Sequence, residues 1–256
     1  MNTFRTKKNI ILSYMTVVSC CIFLFLLASF QKNDEKGYPL KQKKVLIYSK
    51  TNGYRHESIS AGIAAIKKLG AENNFMVDAT EDSLAINTEI LNGYQAVIFL
   101  STTGKVLAEK QELALQNFMK KGGGFVGVHA ATDCEYNWPW YVEMIGASFE
   151  SHPAQQKAKL VVVDNKHLST KHLPAVWERK DEWYNFKNIN PELNVLINID
   201  ESSYTGGKNK NNHPMAWYHN FGGGKVFYTA LGHTTESYQE TFFLQHVLGG
   251  IKYAMD

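Results

Sequence analysis

Short apolar segments alternate with amphipathic segments along most of the chain. Residues 45–49 form an apolar run, and between positions 59 and 69 isoleucine and leucine recur every three or four residues. This order predicts a buried strand followed by an amphipathic helix. It returns at residues 96–100 and 108–121, where a glycine triplet ends the helix and a strand at 124–128 follows. The alternation predicts a three-layer α/β fold with right-handed connections between parallel strands.

The remaining segments extend the same pattern to the end of the chain. Further strands are predicted at 75–77, 159–163, 195–199, 215–218 and 225–229, with a hairpin turn at 221–224 and a final helix over 238–255. No internal repeat interrupts them, and a length of this order suits one elaborated domain. The predicted boundaries are an N-terminal segment at 1–30, a polar linker at 31–42 and a domain at 43–256.

The N-terminal segment has the pattern of an export signal. Arg5, Lys7 and Lys8 precede residues 10–30, which contain no charged side chain. A helix of this length, at about 1.5 Å per residue, would cross a hydrocarbon core of roughly 30 Å. The positive flank should stay in the cytoplasm and direct the domain to the other side. An extracytoplasmic protein, periplasmic or at the cell surface, is therefore expected.

Three forms of this export signal remain open. A cleavable signal peptide would be cut near Leu27, Ala28 and Ser29, where small residues follow the apolar stretch. An uncleaved signal-anchor transmembrane helix fits the full apolar length. A lipoprotein signal is indicated by the residues before Cys20, although apolar residues continue after it. The domain is thus secreted or anchored, and in the uncleaved form the N-terminal segment would be its contact with the membrane.

Composition narrows the class of the domain. The chain is 44% hydrophobic and 20% charged, which excludes a disordered or collagen-like protein. Its net charge of +3 comes from the N-terminal segment, since removing those three basic residues leaves 24 basic against 24 acidic. A nucleic-acid-binding surface is therefore not expected. Cys134 is the only cysteine after residue 30, so the domain cannot form an internal disulfide.

Histidines follow three of the predicted strands. His56 lies in the polar stretch after the first strand, His129 directly follows the strand at 124–128, and His233 follows the strand at 225–229. Ligands of α/β sheets bind at the carboxyl ends of the strands. Imidazole groups transfer protons near neutral pH and bind metals. The pattern therefore predicts a shared site at one edge of the sheet.

Four segments resemble motifs of the ThuA-like (trehalose utilisation) family. They are YRHESI at 54–59, GGGFVGVHAATD at 122–133, DEWYNF at 181–186 and ALGHTTESY at 230–238. The resemblance extends from about residue 43 to residue 254. It implies a flavodoxin-like, mostly parallel sheet flanked by helices, as in the class I glutamine amidotransferase-like superfamily. It also implies a role in carbohydrate metabolism, since members of the family are often described as glycosyl hydrolases.

The chain departs from the amidotransferases at their nucleophile. Those enzymes carry a reactive cysteine on a tight turn after a strand, and His129 occupies the corresponding position here. Cys134 lies five residues further on, beyond that turn, so glutamine amidotransferase activity is not expected. The amidotransferase histidine and glutamate late in the chain correspond to His233 and Glu236. The resemblance therefore predicts His129, His233 and Glu236 as catalytic residues.

Further side chains in these motifs suit a sugar-binding cleft. Aromatic rings stack on the apolar faces of sugars, and charged or imidazole groups bind hydroxyls. The predicted substrate-binding residues are Tyr54, Arg55, His56, Asp133, Glu182, Trp183 and Tyr184. Core packing is the alternative for the aromatic residues, and an ion pair with Glu57 is the alternative for Arg55.

Three functions remain open at this point. The leading hypothesis is an exported enzyme that acts on a glycoside or keto-sugar derivative by acid–base chemistry, as a hydrolase, isomerase or lyase without a cofactor. The second is a non-catalytic protein that binds a small-molecule carbohydrate. The third is a metal-dependent hydrolase with His129, His152 and His233 as ligands, which the spacing of the histidines supports only weakly.

Overall fold

A large mixed sheet, a small second sheet and five α-helices make up the part of the chain that the computed structural model describes, residues 42–256. The predicted export segment and the linker up to residue 41 lie outside the described residues. The strands are β1 (Lys43–Tyr48), β2 (Phe75–Thr80), β3 (Ala96–Leu100), β4 (Gly124–Val128), β5 (Ser148–Ser151), β6 (Gln156–Val162), β7 (Val176–Asp181), β8 (Asn185–Lys187), β9 (Asn194–Asp200), β10 (Pro214–Phe221) and β11 (Gly224–Thr229). The α-helices are α1 (Ile59–Glu72), α2 (Thr88–Leu91), α3 (Glu109–Lys120), α4 (Pro139–Ile145) and α5 (Thr241–Met255).

The large sheet has a parallel half and an antiparallel half. Its order is β2-β1-β3-β4-β11-β10-β9-β6-β7, and the first five strands are parallel to one another. From β11 onward each strand is antiparallel to the one before it. The predicted flavodoxin-like α/β architecture is confirmed. The antiparallel extension is longer than a mostly parallel sheet implies, and β5 and β8 pair separately.

Helices cover both faces of the parallel half. Phe227 and Tyr228 are consecutive in β11 and therefore point to opposite faces. Phe227 packs so closely on Gly250 of α5 that any side chain there would overlap its ring. Tyr228 and Ile145 of α4 both lie against Gly127 of β4 in the same way. The sheet is thus the middle layer, and its buried strands form the core.

Most predicted elements of the parallel half lie where the hydrophobic pattern places them. Strands β3 and β4 have the predicted bounds, and α3 begins and ends one residue inside its predicted range. The hairpin turn between β10 and β11 has positive φ angles at Gly222 and Gly223, +60° and +103°, which glycine adopts readily. The final helix begins later than predicted, at Thr241, because a short 3-10 helix at Glu236–Gln239 precedes it.

Among residues 42–256, no helix has the length and apolar character needed to cross a membrane.

Candidate functional site

Two of the predicted histidines lie side by side at the edge of the sheet. Strands β4 and β11 are parallel neighbours, and their last residues, Val128 and Thr229, are paired. His129 follows directly with a left-handed backbone, at φ +52°, and begins a 3-10 helix at His129–Thr132. Such a backbone is uncommon for a residue other than glycine and is frequent at functional sites. The sharp turn directs the imidazole towards the loop that carries His233.

His56 reaches the same place from the loop after β1. The imidazole is buried, with 4% of the residue exposed. The loop is held by Ser58, whose hydroxyl donates a hydrogen bond to the carbonyl oxygen of Gly232 at 3.2 Å. The first and last of the three histidine loops are therefore tied together.

Glu182 supplies a carboxylate to the three histidines. It directly follows β7, and four successive antiparallel pairings from β11 give β7 the same direction as β11. Asp181 joins the two loops, since its carboxylate accepts hydrogen bonds from the backbone N–H groups of Gly232 and His233 at 3.0 and 3.2 Å. Arg179 forms a buried ion pair with Asp181 at 3.2 Å. The carboxyl end of β7 thus lies at the histidine edge.

The four side chains converge on a small space, and we call them the His56–His129–Glu182–His233 cluster. Nε2 of His129 lies 3.1 Å from Nε2 of His56 and 3.1 Å from Nδ1 of His233. Oε2 of Glu182 lies 3.0 Å from Nδ1 of His233 and 3.5 Å from Nε2 of His129. All four atoms lie within 4.8 Å of one another.

Hydrogen bonds outside the cluster orient two of its members. Nδ1 of His129 lies 2.8 Å from the carbonyl oxygen of Ala230, to which it can only donate. The neutral ring therefore carries its proton on Nδ1, and Nε2 presents a lone pair to the cluster. The second oxygen of Glu182 lies 3.1 Å from Nδ1 of His152. Nδ1 of His56 is buried without a hydrogen-bond partner among the described residues.

The charges of the cluster depend on its burial and on Glu182. Burial, together with the neighbouring His129 and His233, lowers the pKa of His56 to about 3. Burial would raise the pKa of Glu182, but the neighbouring imidazoles of His129 and His233 outweigh it and hold that pKa well below its usual range. Burial opposes protonation of His233, yet its hydrogen bond to Glu182 gives a raised pKa overall. Glu182 is therefore the anionic member of the cluster.

A pocket of about 470 Å³ opens above the cluster. His56, Glu182 and His233 line its floor, while His129 lies fully buried beneath it. The other lining residues are Tyr54, Asp133, Phe149, His152, Gln155 and Tyr184. The Tyr184 ring packs against His129 and Phe149, with centroids 4.5 and 4.4 Å away. The pocket combines aromatic walls with convergent polar groups, as small-molecule sites do.

Glu236 lies beside this pocket rather than within the cluster. It is exposed and lines an adjoining pocket of about 310 Å³, which shares Tyr54, Gln155 and His233 with the first. The 3-10 helix at Glu236–Gln239 begins there. No side-chain hydrogen bond joins Glu236 to a residue of the described chain, and Glu182 is the carboxylate in contact with His233.

The predicted substrate-binding residues divide into two groups. Tyr54, His56, Asp133, Glu182 and Tyr184 all line the main pocket. Arg55 does not line it and instead forms two hydrogen bonds with Glu81 on the surface, at 2.7 and 3.0 Å. Trp183 is fully buried and donates a hydrogen bond to the carbonyl oxygen of Gln156 at 2.8 Å. Arg55 therefore forms an ion pair, as the alternative interpretation expected, but with Glu81 and not with Glu57. Trp183 packs in the core, which was the alternative to substrate binding.

Two pocket residues were not predicted from the sequence, Phe149 and Gln155. Phe149 lies in β5, and Gln155 directly precedes β6, whose antiparallel direction brings its first residue to the same edge as the last residue of β7. A strand that begins at the histidine edge is the signal that could have identified Gln155. Cys134, in contrast, is buried away from the pocket with 2% exposed, and burial raises its pKa far above the usual thiol range.

Solved structures share this fold. A ThuA-like protein from Bacteroides uniformis is 25% identical, with a TM-score of 0.71, and the match covers 85% of this chain and 95% of that one. A ThuA-like protein from Parabacteroides merdae is 21% identical, with a TM-score of 0.68 and coverage of 83% and 90%. A β-galactosidase from Bacillus circulans sp. alkalophilus resembles this chain in fold, at 14% identity and a TM-score of 0.54; the match covers 84% of this chain and 30% of that one.

The sequence comparisons give the family. No curated protein matches the chain significantly. The profile of the trehalose utilisation family matches residues 44–254, nearly all of the described residues. The resemblance predicted from the four motifs is therefore confirmed, and with it a connection to carbohydrates. The chain belongs to the trehalose utilisation (ThuA) family.

Proposed function

We propose that the protein is an exported enzyme that acts on a glycoside or keto-sugar derivative in the pocket above the His56–His129–Glu182–His233 cluster. The observation that carries this proposal is the convergence of three imidazoles and one carboxylate beneath an open pocket. Proton transfer to or from a sugar oxygen or carbon needs such groups within hydrogen-bond reach of the reacting atom. Hydrolysis, isomerisation and elimination all depend on transfers of this kind.

The pocket walls support a sugar as the substrate. Tyr54, Phe149 and Tyr184 present aromatic surface, and Asp133, His152 and Gln155 present polar groups. A volume of about 470 Å³ lies within the usual range for small-molecule sites, roughly 300–1,000 Å³. Apolar faces and hydroxyl groups of one sugar would be matched by these two kinds of side chain. Membership of the family supports the same substrate class.

Assays of the purified full chain against disaccharides and their keto derivatives test this proposal. His129→Asn and Glu182→Gln should each lower turnover by about a hundredfold or more, because the first removes Nε2 from the cluster and the second removes the charge of its carboxylate. His172→Asn is the matched control, since His172 contacts the carbonyl oxygen of Phe242 outside the pocket. If the unmodified chain and all variants bind a sugar equally and none of them converts it, the non-catalytic carbohydrate-binding function replaces this proposal.

Export is the second part of the proposal, and the N-terminal sequence supports it. Residues 10–30 carry no charge and follow three basic residues. An alkaline phosphatase fused after Asp256 should be active, since that reporter functions only outside the cytoplasm. The mass of the mature protein then distinguishes a cleaved signal peptide, a lipoprotein and an uncleaved anchor. A fusion that is stable yet inactive would contradict export.

A further inference from the structure

We infer that the His56–His129–Glu182–His233 cluster binds one divalent transition-metal ion of the zinc or cobalt type. The ligand atoms are Nε2 of His56, Nε2 of His129, Oε2 of Glu182 and Nδ1 of His233. The site itself depends on the cluster geometry, and its role in sugar chemistry rests on the proposed function.

The spacing of the four atoms matches a coordination shell. Ligands at about 2.0 Å from a tetrahedral metal are about 3.3 Å apart. Four of the six separations, all involving His129 or Glu182, are 3.0, 3.1, 3.1 and 3.5 Å. The two others, from His56 to His233 and to Glu182, are within 4.8 Å.

One contact of the cluster is not explained by a hydrogen bond. Nδ1 of neutral His129 donates to Ala230, so Nε2 has a lone pair and no proton. That lone pair lies 3.5 Å from Oε2 of Glu182, another acceptor. His56 and His233 both direct a nitrogen at the same Nε2, whose one lone pair accepts a single hydrogen bond. A cation between the four atoms would bind that lone pair and relieve the repulsion between the two acceptors.

Charge and ligand type both favour the proposed ion. The cluster contains one carboxylate, and no lysine or arginine of the described chain pairs with Glu182. A divalent cation would therefore be the neutralising partner of this buried carboxylate. Nitrogen-rich shells suit zinc, cobalt, nickel and iron, whereas magnesium and calcium prefer oxygen ligands.

The surroundings resemble the outer shell of a metal site. Metal-binding histidines commonly donate their second N–H to a backbone carbonyl, as His129 does to Ala230. The second oxygen of Glu182 contacts His152, and the backbone of His233 is held by Asp181. The cluster faces the pocket on one side, so an ion there would have room for a sugar oxygen as a fifth ligand and would polarise it. Asp133 and His152 line the pocket without belonging to the cluster and would stay available for proton transfer.

Metal content and binding test this inference without any activity assay. The full chain, purified without a polyhistidine tag, should contain about one equivalent of metal by elemental analysis. After removal of that metal by a chelator, Co²⁺ titration should give saturable visible absorption that Zn²⁺ displaces. Zn²⁺ should also raise the thermal unfolding midpoint.

Ligand variants locate the ion. His129→Asn should bind Co²⁺ at least tenfold more weakly, and Glu182→Gln provides the second variant if that protein fails to fold. His172→Asn, which changes a histidine outside the cluster, should bind as the unmodified chain does. The metal site would be overturned if Co²⁺ showed no saturable binding to the unmodified chain. It would also be overturned if both ligand variants bound Co²⁺ as tightly as the unmodified chain does.

The same experiments separate this inference from the proposed function. Sugar turnover by a protein that binds no metal would overturn the metal site and leave the enzyme proposal intact. Stoichiometric metal binding without turnover of any sugar would overturn the enzyme proposal and leave the metal site intact.

Discussion

Nδ1 of His129 donates a hydrogen bond to the carbonyl oxygen of Ala230 at 2.8 Å. This contact links the turn after β4 to the loop after β11, the two neighbouring parallel strands at the centre of the sheet. It also fixes which nitrogen of His129 faces the pocket floor. Nδ1 of His129 therefore has a structural role and Nε2 has the proposed chemical role. A substitution can separate the two.

His129→Asn should lose activity while keeping the fold. The asparagine amide can take the place of Nδ1 and donate to Ala230, but it has no atom at the position of Nε2. We expect turnover to fall by about a hundredfold or more, equivalent to about 2.7 kcal/mol of activation free energy. Initial rates and thermal unfolding of the same preparation measure both effects. Activity within a few-fold of the unmodified chain would show that Nε2 takes no part in the reaction.

Asp181→Asn should destabilise the protein strongly. The substitution leaves the buried guanidinium of Arg179 without its buried partner and weakens the hydrogen bonds to the loop of His233. Breaking a buried ion pair in this way costs about 3 kcal/mol. Glu240→Gln is the control, because Glu240 also pairs with Arg179 but is 36% exposed, and its loss should cost about 1 kcal/mol or less. Urea unfolding of both variants measures the difference, and equal costs would contradict the role of Asp181.

Protonation of His246 should weaken the protein at acid pH. His246 is fully buried, and burial lowers its pKa from 6.5 to about 3. Between these values the unfolded chain binds the proton and the folded chain does not, so stability falls as the pH drops from about 6.5 towards 3. The slope from this one residue is at most about 1.4 kcal/mol per pH unit.

His246→Asn should remove that part of the pH dependence. The asparagine amide does not titrate and can still donate to the carbonyl oxygen of Ser169, the partner of Nδ1. Denaturant unfolding at several pH values between 4 and 7 should therefore give a flatter profile of stability against pH for the variant. The difference in slope should correspond to at most about one proton. Parallel profiles for the two proteins would show that His246 does not contribute.

Cys134→Ala should retain activity. Cys134 is buried in the core cluster, and its raised pKa keeps the sulfur as an unreactive thiol. The lost packing should cost no more than about 1–2 kcal/mol of stability. Turnover and labelling by a thiol reagent in the native state provide the measurements. A hundredfold loss of activity in a folded variant would instead indicate covalent catalysis by this residue.

Tyr54→Ala should weaken substrate binding more than turnover. Tyr54 is 65% exposed at the rim of both pockets, and its ring meets His56 edge-on at 4.9 Å. A contact made equally with the substrate and the transition state changes KM and leaves kcat nearly constant. Leu84→Ala is a matched control, since Leu84 is 68% exposed and borders neither pocket. A fall in kcat alone would place Tyr54 in the chemical step.

Much of the parallel half of the sheet could be predicted from the sequence, because its buried strands are continuous apolar runs. The proximity of His129 and His233 follows from the same pattern, since parallel neighbours end at one edge. Strand β7 gave no such signal. Its segment Val176–Asp181 alternates exposed and buried positions, and two of the buried ones are Arg179 and Asp181. A strand that buries an ion pair has the composition of a surface loop.

The place of Glu182 could not be predicted for a related reason. Four reversals of strand direction have to be known before the end of β7 can be assigned to the histidine edge. Glu236 appeared better placed in the sequence, only three residues after His233. The 3-10 helix that begins there leaves its side chain exposed in the adjoining pocket. Local spacing therefore could not identify the carboxylate that contacts the histidines.

The four members of the cluster come from distant parts of the chain, which has a consequence for folding. His56 and His233 lie 73 and 104 residues from His129 in sequence. Contacts of such long range form late and slow the folding of a domain. During synthesis the cluster cannot assemble before the last strand of the sheet has been made. Once assembled, any ligand bound there joins the beginning, middle and end of the domain, and its release should make the whole domain easier to unfold and to digest.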